Sequence, residues 1–136
     1  YLLVVVSNQS GIARGKITPE ELRRIHEKLD RVLIGHGVRI HHYALCTHHP
    51  DEGCECRKPK PKLVLDAATR YRIDLSQSFM IGDKRSDVEC GRNAKLAGSF
   101  LVGSGYGAEE AKALPHSEGV FFPDLGSVVT RVLSLG

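Results

Sequence analysis

The feature that most restricts the fold is the apolar run at the start of the chain, Tyr1-Leu2-Leu3-Val4-Val5-Val6, which shows no alternation with polar residues. A strand with one wet face alternates, whereas a strand buried on both faces of a parallel sheet reads as a continuous β-branched stretch. Parallel strands need a crossover between them, usually a helix, and the chain supplies one. Polar Ser7-Asn8-Gln9-Ser10-Gly11 ends the run, and Thr18-Pro19-Glu20-Glu21 reads as a capping box with proline at the first helical position. Leu22, Ile25, Leu29 and Val32 follow at helical spacing as a predicted buried face, and Gly35 or Gly37 ends the helix.

The same alternation continues to the end. Ile40 to Leu45 predicts a second strand, and Leu63, Ala67, Ala68 and Tyr71 a helical face. Phe79-Met80-Ile81 predicts a strand ending at Gly82-Asp83, followed by a helix over Asp87 to Ala97 with a small-residue stripe of Cys90, Gly91, Ala94 and Ala97. Phe100 to Val102 and Val120 to Phe122 predict strands, and Ala108 to Leu114 and Val128 to Leu133 predict helices. This order specifies an α/β fold with an open, doubly wound parallel sheet. The 136 residues suit a single domain over 1–136, with no repeat or linker.

Composition narrows the partners. Nineteen Lys+Arg against sixteen Asp+Glu leave a net charge of +3, too small to argue for nucleic acid or membrane binding. An aromatic content of 6% without Trp also disfavours a base-stacking surface. No apolar run nears the roughly 20 residues of a membrane-spanning helix, and the leading run lacks the charged start and length of a secretion signal. The expectation is a cytoplasmic monomer acting on a small molecule.

Open parallel sheets bind ligands beyond the carboxyl ends of their strands, which nominates residues 7–11, 46–58 and 82–87. In the middle segment, Cys46-Thr47-His48 and Cys54-Glu55-Cys56 present two soft ligand pairs. Three thiolates and an imidazole make a closed tetrahedral set suited to structural zinc, without an open position for a reacting water. The competing reading is free thiols or a disulfide, although a Cys54–Cys56 bridge would be strained. His48 is preferred over His49, which precedes Pro50. Arg57-Lys58 directly follows the last ligand and reads equally as a phosphate grip or as a solvated basic turn, since Lys60 and Lys62 continue the charge. Gly82-Asp83-Lys84 with Asp87 suits magnesium at a strand end, or a common turn. Residues 7–11 either cradle a phosphate or simply turn toward the helix. Cys90 reads as a core thiol, His41 and His42 as strand-surface residues on opposite faces, and His26, His36 and His116 as surface residues.

Together the segments from Val4-Val5-Val6-Ser7-Asn8-Gln9-Ser10-Gly11-Ile12-Ala13-Arg14-Gly15 to about Gly105 resemble the haloacid dehalogenase (HAD) phosphatase superfamily. The resemblance is to its zinc-containing subgroup, which includes heptose bisphosphate and histidinol-phosphate phosphatases. It implies that Ser7 and Lys58 hold the transferring phosphoryl group and that Asn8, Gln9, Ser10, Arg57 and Lys84 bind substrate. It further implies zinc at Cys46, His48, Cys54 and Cys56, and magnesium at Asp83. The implied reaction is hydrolysis of a sugar-phosphate monoester through an aspartyl-phosphate intermediate. Heptose bisphosphate is the first choice of substrate, histidinol phosphate the alternative, and a non-catalytic phosphate-binding remnant the reading from another class. One departure is large. The family's Asp-x-Asp, carried on a first, central strand, occurs nowhere in these 136 residues, and Asp51, Asp66, Asp74 and Asp124 lie in other contexts. The expectation is a domain incomplete at its amino terminus, with a hole where that strand belongs and no activity of its own.

Overall fold

The computed structural model describes residues 1–114 and 120–136, so His116 lies outside the described residues. Of the leading run, only the valines are in a strand. Strand β1 spans Val4–Asn8, crosses through helix α1 (Pro19–Ile34), and pairs in parallel with β2 (His42–Cys46), with Val4 opposite His42 and Asn8 opposite Cys46. Tyr1, Leu2 and Leu3 lie outside the ladder and are 73%, 46% and 42% exposed, which corrects the expectation of a strand buried from its first residue. The reason is geometric: β1 has a strand partner on one edge only among the described residues.

The remaining strands form a second parallel sheet in the order β3 (Phe79–Gly82), β4 (Gly98–Val102), β5 (Phe121–Phe122). Helices α2 (Lys62–Tyr71), α3 (Arg85–Asn93), α4 (Gly107–Ala111) and α5 (Leu125–Leu135) supply the crossovers and flanks, with short 3₁₀ turns at Pro50–Glu52 and Leu75–Gln77. Every ladder is parallel, as the order of elements predicts. Among the described residues the two sheets share no ladder. An apolar cavity of about 780 Å³ lies along the break, lined by Leu3, Phe79, Ile81, Val129, Val132 and Leu133 among others. A smaller one of about 100 Å³ on the α2 side is lined by Val4, Val6, Val64, Ala67, Met80 and Leu96.

Local chemistry explains the elements. Thr18 caps α1 in a complete capping box: Glu21 N–H donates to its Oγ1 at 3.1 Å, and Thr18 N–H donates to Glu21 Oε2 at 2.8 Å. The apolar stripe of α1 is a partial correction. Leu22 is buried, but Ile25, Leu29 and Val32 are 53%, 40% and 54% exposed, because the described elements cover only the Leu22 end of the stripe. The helix is instead held to β2 by Tyr43, whose OH donates to Asp30 at 2.7 Å and whose ring stacks on His26.

Helix α3 begins at Arg85, earlier than predicted, and ends at Asn93, with the chain turning back through Lys95 at φ +58°. Its small residues let it lie directly on the sheet. A Cβ at Gly91 would fall 2.1 Å from Ser99 Oγ and 2.7 Å from Met80 Cβ. Cys90 and Val88 are completely buried there, as Leu101 and Val128 are nearby. Burial also pushes the Cys90 thiol up, as suits a packed and unreactive cysteine.

Candidate functional site

The site begins where β2 ends. Cys46, its last residue, is completely buried, and the loop that follows returns Cys54 and Cys56 to it. The ligand atoms of Cys46, His48, Cys54 and Cys56 all lie within 4.8 Å of one another. Cys46 Sγ is 2.8 Å from Cys56 Sγ and 3.5 Å from Cys54 Sγ, while His48 Nδ1 is 3.1 Å from Cys56 Sγ. All four cysteines are free. Burial, together with hydrogen bonding to the thiols of Cys46 and Cys54, pushes Cys56 up to about 12. Burial also raises Cys54, yet hydrogen bonds from Cys46, the Arg57 backbone and Cys56 leave it below its usual value. Such crowded sulfurs with an imidazole form a donor set that fits a soft tetrahedral cation.

The structure also separates the two candidate histidines. His49 does other work: Asp51 N–H donates to its Nδ1, and its own N–H donates to Glu52 Oε1 at 2.8 Å, capping the 3₁₀ turn. Among the described residues, His48 is the histidine that joins the cysteines.

From this cluster the chain runs directly into Arg57 and Lys58. Lys58 Nζ donates to the Val6 carbonyl at 2.6 Å and lies 2.6 Å from Asp87 Oδ1. Both charged side chains are nearly enclosed, at 12% and 7% exposure. Lys58 therefore ties together β1 and the start of α3 at the head of the break between the sheets. Its backbone is gripped as well. Lys58 N–H donates to Asn8 Oδ1 at 2.9 Å, and Asn8 Nδ2 donates to the Lys58 carbonyl at 3.2 Å. Arg57 Nη1 is buried without a hydrogen-bond partner among the described residues. A buried guanidinium N–H left over in this way is the kind of group that an anionic ligand satisfies.

Asp83 follows β3 and sits against the loop between β4 and α4. Tyr106 N–H donates to its Oδ2 at 3.2 Å, and a Cβ at Gly105 (φ +62°) would fall 2.2 Å from that same oxygen. Lys84 lies with its Nζ 4.7 Å from the centre of the Tyr106 ring. Ser7 Oγ accepts from Gln9 Nε2 at 2.8 Å, and Ser10 begins the tight turn in which Arg14 N–H donates to its carbonyl.

Sequence reading set Asp87 beside the Gly-Asp-Lys group without a role. The structure supplies one, since it faces Lys58 and accepts the Lys84 N–H at 3.1 Å. The legible signal was its position one helical turn after Asp83. The part played by the loop at Gly103 to Gly107 had no sequence signal beyond its glycines.

Comparison with known proteins places this geometry. A HAD-hydrolase-like family model matches residues 55–128, slightly more than half the chain. The chain belongs to the HAD-like hydrolases. It is 34% identical over 134 residues to the D-glycero-β-D-manno-heptose-1,7-bisphosphate 7-phosphatase of Pseudomonas putida, a match spanning 98% of this chain and 75% of that protein. It is 44% identical over 103 residues to the enzyme of the same name from Helicobacter pylori, spanning 75% of this chain. The match covers only 59% of the Helicobacter protein, so this HAD-like chain spans about three fifths of the curated relatives it matches at that level. Among solved structures, the D,D-heptose 1,7-bisphosphate phosphatase of B. bronchiseptica, complexed with magnesium and phosphate, superposes with a TM-score of 0.88. That match has 34% identity and covers 99% of this chain and 75% of that one.

Proposed function

We propose that this chain forms the phosphoryl-binding part of a magnesium-dependent phosphatase whose substrate is D-glycero-D-manno-heptose 1,7-bisphosphate, cleaved at the 7-phosphate. The observation that carries the reading is the enclosed Lys58–Asp87 pair, set at the strand ends by a Cys/His-clustered loop, with the unpartnered Arg57 Nη1 beside it in sequence. The names and bound ligands of the relatives support the same substrate class.

In this reading Lys58 and Ser7 stabilise charge on the phosphoryl oxygens, and Arg57, Lys84, Gln9 and Ser10 face the rest of the substrate. Asn8 belongs to the same substrate-binding segment. Asp83 supplies a carboxylate oxygen for magnesium, held in direction by the Tyr106 amide. When bound, that ion neutralises charge on the phosphate. Cys46, His48, Cys54 and Cys56 hold structural zinc, and the metal's task is to fix the backbone that presents Arg57 and Lys58. No Asp-x-Asp occurs in these 136 residues. We therefore place the attacking aspartate on a strand outside them, seated in the cavity between β1 and β3 as part of one HAD-like domain. Among the described residues, no helix is long and apolar enough to cross a membrane. With the small net charge, this favours a cytoplasmic protein that acts on a small phosphorylated substrate, and we take its working unit to be the monomer.

The test is phosphate release by the intact protein with magnesium, comparing heptose bisphosphate with histidinol phosphate. Preferential turnover of the heptose supports the proposal. Preference for histidinol phosphate replaces the substrate, and turnover of neither favours a binding role.

A further inference from the structure

Asn8 stands at the strand end where a substrate-lining residue is expected, yet its amide is engaged elsewhere. Its Oδ1 accepts the Lys58 N–H at 2.9 Å and its Nδ2 donates to the Lys58 carbonyl at 3.2 Å. An amide side chain offers an acceptor and donors side by side, so it can pair with both backbone groups of one residue as a neighbouring strand would. Lys58 lies in a loop with no ladder, and a half-buried loop N–H and C=O need such partners. The residue doing the gripping is itself fixed, because Asn8 is opposite Cys46 in the β1–β2 ladder, and Gln9 N–H donates to the Cys46 carbonyl at 2.7 Å.

We infer that Asn8 is a positioning residue for Lys58: it is a second anchor of the Cys/His loop, independent of the metal, and acts through the Lys58 backbone. The loop leaves β2 at Cys46, and its ligands Cys54 and Cys56 lie just before Lys58. A metal would fix the loop at the ligands, while the Asn8 clamp fixes it two residues beyond Cys56. Between the two anchors stands Arg57. Beyond them, Lys58 Nζ reaches Val6 and Asp87, and both contacts depend on where its backbone sits. The Arg57 and Lys58 side chains are thus presented from a backbone held on both sides. The inference deepens the proposed reading by assigning Asn8 to the presentation of Lys58, and it rests on that reading only for the purpose that Lys58 serves.

The test uses amide hydrogen exchange at Lys58 in the zinc-loaded chain, with zinc content measured separately, for the wild type, Asn8→Leu and Asn8→Asp. Leucine approximates the shape of asparagine without its hydrogen bonds, whereas aspartate keeps an acceptor for the Lys58 N–H. The clamp predicts that Lys58 exchanges about tenfold faster or more in Asn8→Leu, the size expected for losing roughly one net hydrogen bond. It predicts protection between wild type and Asn8→Leu in Asn8→Asp, because the carboxylate still accepts the Lys58 N–H but has no donor for the Lys58 carbonyl, with the Val5 amide unchanged in both. A space-filling role predicts wild-type protection of Lys58 in Asn8→Leu, and that result would overturn the inference. Should Asn8→Leu fail to fold, Asn8→Asp decides by itself: aspartate fills the same space, so Lys58 exchange faster than wild type supports the clamp, and unchanged exchange refutes it. Failure of the zinc assignment looks different. The wild type would then bind no zinc, while the contrast between leucine and aspartate at Lys58 persisted.

Discussion

Removing either member of the Lys58–Asp87 pair should cost the fold more than removing both. The ions are 2.6 Å apart with only 12% and 7% of their side chains exposed, so each has given up most of its hydration. At an effective dielectric of about 20 their attraction is roughly 6 kcal/mol, set against a desolvation penalty of several kcal/mol for each ion. Deleting one partner leaves the other charge enclosed and uncompensated. Among the described residues, the Lys58 ammonium would keep the Val6 carbonyl, and the Asp87 carboxylate the Lys84 N–H at 3.1 Å. We expect Lys58→Met and Asp87→Leu each to lose about 3 to 5 kcal/mol. The double variant should lose less than either single variant, because the apolar pair removes both charges together. Urea unfolding of the four proteins, followed by far-ultraviolet circular dichroism, closes the cycle. Additivity within about 0.5 kcal/mol would show that the two side chains do not sense each other and would refute the reasoning.

Other expectations follow from single contacts. Cys46→Ala removes the buried ligand of the Cys/His cluster and should abolish stoichiometric zinc and expose residues 46–58 to protease. Unchanged metal content and loop protection would contradict the assignment. Gly91→Ala puts a Cβ 2.1 Å from Ser99 Oγ and should destabilise by about 1 to 3 kcal/mol through overpacking, read from the urea midpoint. Tyr43 is raised to about 12, first by burial and then by its hydrogen bond to Asp30. The folded state therefore prefers the neutral phenol, and the resulting stability is complete below the ordinary tyrosine value near 10 and disappears as pH rises through about 12. Unfolding measured across that window should show a loss in the wild type that Tyr43→Phe lacks.

How far the sequence spoke depended on whether a signal was local. The capping box of α1 was legible because Thr18 and Glu21 satisfy each other within one turn. The Cys/His cluster was legible because cysteine spacing carries its own chemistry, and His48 was separable from His49 by the proline that follows. The parallel order followed from the alternation of apolar runs. What failed needed the third dimension. Tyr1 to Leu3 read as strand, but the pairing thins there to contacts between Leu3 and His41, and all three residues stay exposed. Ile25, Leu29 and Val32 carried a buried period, with no element among the described residues to bury them. Not legible at all was the pairing of the Asn8 amide with the Lys58 backbone, because no sequence pattern links an amide at position 8 to a backbone at position 58. Asp87 likewise gained a role only when Lys58 was found 2.6 Å away.

The central claim is that Lys58 and the groups around it handle a phosphoryl group on a heptose. Its most direct test is the rate of phosphate release from D-glycero-D-manno-heptose 1,7-bisphosphate by the intact protein, with magnesium and after its removal by chelation. The account predicts magnesium-dependent release from the 7-position, abolished in Lys58→Met while the zinc content is retained. Release that persists without magnesium, or that survives Lys58→Met, would contradict it.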